Sequence, residues 1–197
     1  MKWIVISIVL FIAAYTFISV YFRKPGPGYQ PYKDSKIRAN VQRLEQAGFQ
    51  RVVASIATPA DPQRSAANLG RNLVTTQATI SGLYGELAQS FAEKPTLPES
   101  ILNITAPTSA NVLMPYSFQY TCQLPDKKFV VADTYLCLKE NEIAVVTSLE
   151  PISGGLLSRR TESAVVLTLA PGTLKPGDYK VTVVGAQHSL QWTLQVH

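Results

Sequence analysis

Cysteine and histidine are nearly missing from this chain, two of each, and each shortage closes a class of mechanism. Two cysteines cannot build the dense disulfide framework of a small secreted scaffold. Histidine is confined to His188 and His197, which leaves no imidazole at metal-ligand spacing and no base placed to activate any of the many serines. There is no G-x-S-x-G elbow and no cofactor motif, so the expectation is a non-enzyme with no catalytic residue, metal ligand or cofactor. Asp133, Glu140, Glu142 and Glu150 gather near strand ends, where a solvated edge accounts for them. Charge is scarce too, at 16% of the chain against about 25% in average proteins. The net charge of +5 is spread along the sequence. No basic stripe interleaved with aromatics is present, so nucleic acid is not expected as a partner.

What the chain does have is a greasy start. Trp3 to Phe22 reads WIVISIVLFIAAYTFISVYF, with no charge and only hydroxyls for polarity. At about 1.5 Å per residue, a helix of that length spans a hydrocarbon core roughly 30 Å thick. The hydroxyls can bond back to their own helix carbonyls. Trp3 at one end and Tyr21 with Phe22 at the other mark the membrane interfaces, followed by Arg23 and Lys24 at headgroup depth. A cleaved signal peptide needs a shorter apolar run and small residues at A-x-A spacing. Ser19, Val20, Tyr21 and Phe22 precede the basic pair and Ala13-Ala14 lie mid-span, so residues 1–24 are expected to be an uncleaved, single-pass signal anchor with the lipid bilayer as partner. A pilin-like subunit is set aside, because its cleaved leader and early glutamate are both missing.

Orientation draws two opposed arguments. Arg23, Lys24, Lys33, Lys36, Arg38 and Arg43 all follow the span, and positive flanks prefer the cytoplasm. A short tail carrying Lys2 resembles an ordinary signal anchor, whose following domain is exported. A body poor in charge, rich in Ser, Thr, Gln and Asn and built of short strands tips the expectation to the extracytoplasmic side.

Residues 25–34, with Pro25, Gly26, Pro27, Gly28 and Pro31, are expected to form an extended stalk. An α/β segment over 35–98 follows. Its first element is a helix over 36–47, capped by Asp34 or Ser35, with Ile37, Val41 and Leu44 on one face and Gly48 as its left-handed stop. Next come a strand over 49–57, a turn at Thr58 to Pro62, an ambiguous stretch to Thr79 and a helix over 81–93 carrying Leu83, Leu87 and Phe91. Pro95-Thr96-Leu97-Pro98 is the expected domain boundary.

From there the period changes to two. Tyr116, Phe118, Tyr120, Cys122 and Leu124 alternate with Ser117, Gln119, Thr121 and Gln123. Leu190, Trp192, Leu194 and Val196 alternate with Ser189, Gln191, Thr193 and Gln195. Between these two strands, others are expected over 134–139, 142–149, 162–170 and 179–185, and a first one over 101–106. About seven short strands separated by turns predict an antiparallel sandwich over 99–197. The fold class is mainly β with α.

Leu174-Lys175-Pro176-Gly177-Asp178-Tyr179-Lys180-Val181-Thr182-Val183 resembles the late-strand signature of immunoglobulin-like and fibronectin-III-like sandwiches, in which a turn delivers a tyrosine into a core strand. The resemblance covers roughly the last hundred residues and implies architecture only. The chain departs from the family in having Trp192 on the last strand rather than the third, and in its cysteine spacing. Alternation puts Cys122 inward; if Leu136 and Leu138 point inward, Cys137 points the other way, so two free thiols compete evenly with a disulfide.

The functional expectation is an interaction or accessory module of a membrane or envelope complex, with membrane or envelope proteins as further partners. Its contact loop is placed at Gly154, Gly155, Arg159 and Arg160. A membrane-bound hydrolase or metal-handling protein is the rival, and it needs a deep polar cleft with perturbed titratable groups near His188.

Overall fold

The computed structural model describes residues 2–22, 31–70, 72–91 and 93–197. They fall into two units, Met1–Arg38 and Ala39–His197. In the first, α1 runs from Lys2 to Phe22 as the charge-poor run predicts. Its Phe11–Tyr15 and Phe17–Tyr21 rings stack one turn apart. Thr16 Oγ1 donates to Ile12 O at 2.7 Å, so this hydroxyl is satisfied inside the helix.

The second helix, α2, spans Pro31–Gln46 and crosses from the first unit into the second. It starts earlier than the expected 36, so residues 31–34 are helix rather than stalk and Asp34 and Ser35 lie inside it. A proline is tolerated in a first helical turn, where its missing N–H has no intrahelical partner to lose. The rest of the expected stalk, 25–30, lies outside the described residues. At the other end Gly48 takes φ +83 as expected. Gly48 N–H donates to Glu45 O and Phe49 N–H to Leu44 O, the double closure of a Schellman stop, with Leu44 and Phe49 both buried beside it.

The single strand expected over 49–57 is two. β1 (Gln50–Val52) pairs with β7 (Phe129–Lys139), and β2 (Ala54–Ala57) pairs with β9 (Glu162–Leu169) in the other sheet. The chain changes sheets at Val53, which is exposed. The helix α3 (Pro62–Ala67) follows, capped by Asp61, whose carboxylate accepts from the N–H groups of Gln63 and Arg64. β3 (Gln77–Thr79) and α4 (Gly85–Ser90) complete this part, α4 being shorter than expected, with positive φ at Gly82 before it and at Gly85, its first residue. β4 (Ser100–Thr105), β5 (Ser109–Ala110), β6 (Tyr116–Gln123), β8 (Glu142–Pro151), β10 (Gly177–Val184) and β11 (Ser189–Val196) supply the other strands.

They form two sheets. One is ordered β1-β7-β8-β10-β11-β3, with β5 also on β11; the other is β2-β9-β6-β4. Because β1, β2 and β3 are built into these sheets and Ala39–His197 is one compact unit, there is no break at Pro95 to Pro98. The expectation of a purely antiparallel sandwich is corrected as well, since β8 and β10 run parallel, Val181 beside Ile143 and Val183 beside Val145. Strand β9 lies in the other sheet and carries the chain from β8 back to the start of β10, so two strands of one sheet can run the same way.

The alternation of β6 and β11 meets between the sheets. Phe118, Tyr120, Cys122, Trp192 and Leu194 are buried there with Leu136, Ile143, Val145 and Val181. Tyr120 Oη lies 2.6 Å from Thr147 Oγ1 and 3.3 Å from Thr134 Oγ1, a polar knot in an otherwise apolar core. The far face of β7 and β8 is covered too: Cys137, Ala144 and Val146 pack with Leu44 of α2, Leu87 of α4 and Phe91 just after α4. This double cover explains why Ile143 to Val146 is continuously apolar rather than alternating.

Gly185 turns β10 toward β11 and has no room for a side chain, since a Cβ there would stand 2.2 Å from His188 O. That carbonyl accepts the Ile101 N–H at 3.0 Å, tying the turn to β4 in the opposite sheet. Gly185→Ala is expected to cost about 1–3 kcal/mol through this overpacking. The measure is a lower urea midpoint for the full chain in detergent; an unchanged midpoint would mean that the turn shifts freely.

Candidate functional site

The expected contact loop lies at one end of the sandwich, between β8 and β9. It opens with a short 3-10 turn at Ser153–Gly155, where Gly154 takes φ +79, a conformation that L side chains rarely adopt. Leu156 and Leu157 follow, 69% and 61% exposed, and then the exposed Arg159 and Arg160. Ser158 Oγ donates to Arg160 O at 2.8 Å and keeps this part of the loop folded on itself.

A second loop, Pro125 to Lys128 between β6 and β7, lies against the first. Ser158 N–H donates to Lys127 O and Ile152 N–H to Lys128 O, both at 2.7 Å. Lys127 and Lys128 are exposed. The Asp126 carboxylate turns back to accept the Lys128 N–H at 2.6 Å. The structure therefore adds Lys127, Lys128, Leu156 and Leu157 to the residues picked from sequence. The signal for the leucines was present, since two adjacent apolar residues stand between a Gly-Gly turn and an Arg-Arg pair. The lysines lie about thirty residues upstream, and only the pairing of the two loops brings them near.

Comparison with protein-family models, with curated proteins and with solved structures finds no match. Any functional reading of this chain rests on its own residues.

At the opposite end, by the β7–β8 turn, a cleft of about 260 Å³ is lined by Phe49, Tyr84, Glu86, Leu87, Cys137, Lys139, Glu140, Glu142 and Ala144. Lys139 pairs with Glu86, and its ammonium stands 5.2 Å from the centre of the Phe49 ring. Lys180 and Glu142 are 3.7 Å apart. His188 is not among the residues lining this cleft; it is an exposed residue of the β10–β11 turn. Among the described residues, no three His, Cys, Asp or Glu side chains gather as a metal site.

Cys122 and Cys137 are both buried and free. Cys122 lies between the sheets and Cys137 on the far face of β7, which settles the open choice between thiols and a bridge. Burial pushes Cys137 up from 9.0 to about 11 and Cys122 to about 12, the nearby Arg51 guanidinium only partly offsetting the former. A raised thiol pKa keeps the protonated form, which is the poor nucleophile. Alkylation of the folded chain at pH 8 is expected to be roughly 100-fold slower than that of the urea-unfolded chain. Fast labelling of either thiol without denaturant would contradict this. The sign for stability follows: the thiols' contribution is whole below pH 9 and is lost as pH climbs through 9 toward 11 and 12.

Of the expected membrane-interface residues, Trp3 is 84% and Tyr21 62% exposed at the two ends of α1. Phe22 closes the helix. Arg23 and Lys24 lie outside the described residues.

Proposed function

We propose that this is a single-pass membrane protein, held by an uncleaved anchor, that serves as a non-catalytic interaction or accessory module of a membrane or envelope complex, with its folded unit on the extracytoplasmic side. The observation that carries the reading is α1: from Ile4 to Ile18 every Ile, Val, Leu and Phe side chain is exposed, from Ile6 at 51% to Phe11 at 72%. A helix apolar on every side needs an apolar surrounding. Lipid is one that its length fits.

The anchor confines the folded unit to a layer beside the bilayer and so raises its effective concentration for partners in that plane. Loops on a rigid sandwich are the usual carriers of contact residues, and Lys127, Lys128, Leu156, Leu157, Arg159 and Arg160 are the set favoured here. We read the sandwich as a variant of the immunoglobulin-like kind. In support, Tyr179 Oη donates back to Lys175 O at 3.0 Å, in the manner of that family's tyrosine corner. The parallel β8–β10 pair makes it a variant.

Alkaline carbonate washing and protease treatment of right-side-out spheroplasts test the two halves of this proposal. The chain is expected to stay with the membrane pellet, and the folded unit to be cut. Release into the supernatant would overturn the anchor, and full protection would overturn the orientation.

A further inference from the structure

We infer that the paired loops 125–128 and 152–161 are a second, peripheral membrane contact, made to the surface of an anionic bilayer. The inference rests on the anchor reading for its geometry of supply, since a tethered unit meets lipid far more often than a free one. It stands otherwise on the loops themselves.

Three observations support lipid as the occupant. The first is the arrangement: two exposed leucines, side by side at Leu156 and Leu157, are flanked by four exposed cations, Lys127, Lys128, Arg159 and Arg160. Leucines entering the boundary of headgroups and acyl chains leave the cations level with lipid phosphates, where each contributes about a fivefold preference for an anionic surface. The second is charge balance. Asp126 is the one carboxylate of the two loops, and it is occupied with the Lys128 N–H. The third is composition: neither loop carries an aromatic residue, whereas the buried centre of a protein–protein interface is enriched in Tyr, Trp and Phe and depleted in Lys. The two hydrogen bonds between the loops hold leucines and cations together without a partner, so little ordering cost falls on binding.

A built-in comparison exists elsewhere in the unit. Leu113 and Met114, between β5 and β6, are also exposed, at 83% and 64%, but no cation lies in residues 109–115. If exposed grease alone drew the protein to lipid, this tip would do as well.

The test uses the full chain reconstituted in vesicles of phosphatidylcholine, with or without phosphatidylglycerol. An environment-sensitive dye is attached through Leu157→Cys or, separately, Met114→Cys, the two native thiols being protected by burial. The dye at 157 is expected to shift to the blue in phosphatidylglycerol vesicles only, and the dye at 114 to stay water-like in both. Arg159→Gln with Arg160→Gln is expected to weaken the contact about 30-fold, as two lost cations predict. A dye at 157 that stays water-like in both vesicles, or shifts only when other membrane proteins are added, overturns the inference; the latter result would assign the loops to a protein. Carbonate extraction of the same vesicles reports on the anchor independently. A chain that resists extraction while its loop stays in water refutes the lipid contact alone. An extracted chain whose loop still shifts refutes the anchor alone.

Discussion

Two cations at the middle of α1, Phe11→Arg with Ile12→Lys, are expected to convert the chain from carbonate-resistant to carbonate-extractable, whereas Phe11→Arg alone leaves it in the membrane. The twelve Ile, Val, Leu and Phe residues of Trp3–Phe22, at about −0.3 to −0.6 kcal/mol each, favour insertion by roughly 4–7 kcal/mol. One central cation costs about 3 kcal/mol and leaves a clear preference for the bilayer; two cost about 6 kcal/mol and remove most or all of it. The contrast between single and double variants is the informative part. Were α1 only a sticky terminus adsorbed to lipid, the loss would grade evenly with charge and carbonate would release the unmodified chain as well. The readout is the fraction in the pellet for the three chains side by side.

Legibility in the sequence followed the strength of the local period. β11 is readable to the residue, Ser189–Val196, because its second half alternates cleanly, with Trp192, Leu194 and Val196 buried and Thr193 and Gln195 exposed; Ser189, expected on the wet face, is buried. β7 was found only from Thr134, although it starts at Phe129, because the register shift between Val131 and Thr134 breaks the alternation there. At Gln119 the pattern held but the environment differed. Its side chain lies on the face expected to be wet, yet is buried, donating to Pro62 O beneath α3. That helix has a usable signal in Asp61 capping a Pro62 start, a pair that locally reads equally as a turn. What no local pattern could show is the sheet change at Val53 or the parallel β8–β10 pair, since both are decided by which strands win neighbours far along the chain. The site was half legible for the same reason: Gly154 to Arg160 is contiguous, and its partners at Lys127 and Lys128 are not.

Trp192 is where departure from the immunoglobulin-like pattern has its largest energetic consequence. That family seats its core tryptophan on the third strand, whereas here the last strand delivers it, 3% exposed, with its ring edge-on to Phe118 at 5.2 Å between centroids. Phe118 comes from the other sheet, so this pair joins the two sheets at the centre of the core. Trp192→Ala is expected to cost about 3–5 kcal/mol, enough to consume much of the stability of an ordinary domain. Trp192→Phe should cost markedly less, because it keeps an aromatic ring against Phe118 and leaves only part of the indole's volume unfilled. Urea unfolding of the full chain in detergent, followed by far-UV circular dichroism, ranks the three proteins. If Phe were as damaging as Ala, the ring pair with Phe118 would be of no consequence and the full indole would be what the core requires. If Ala were harmless, the two sheets would be held together by something other than the ring pair at their centre.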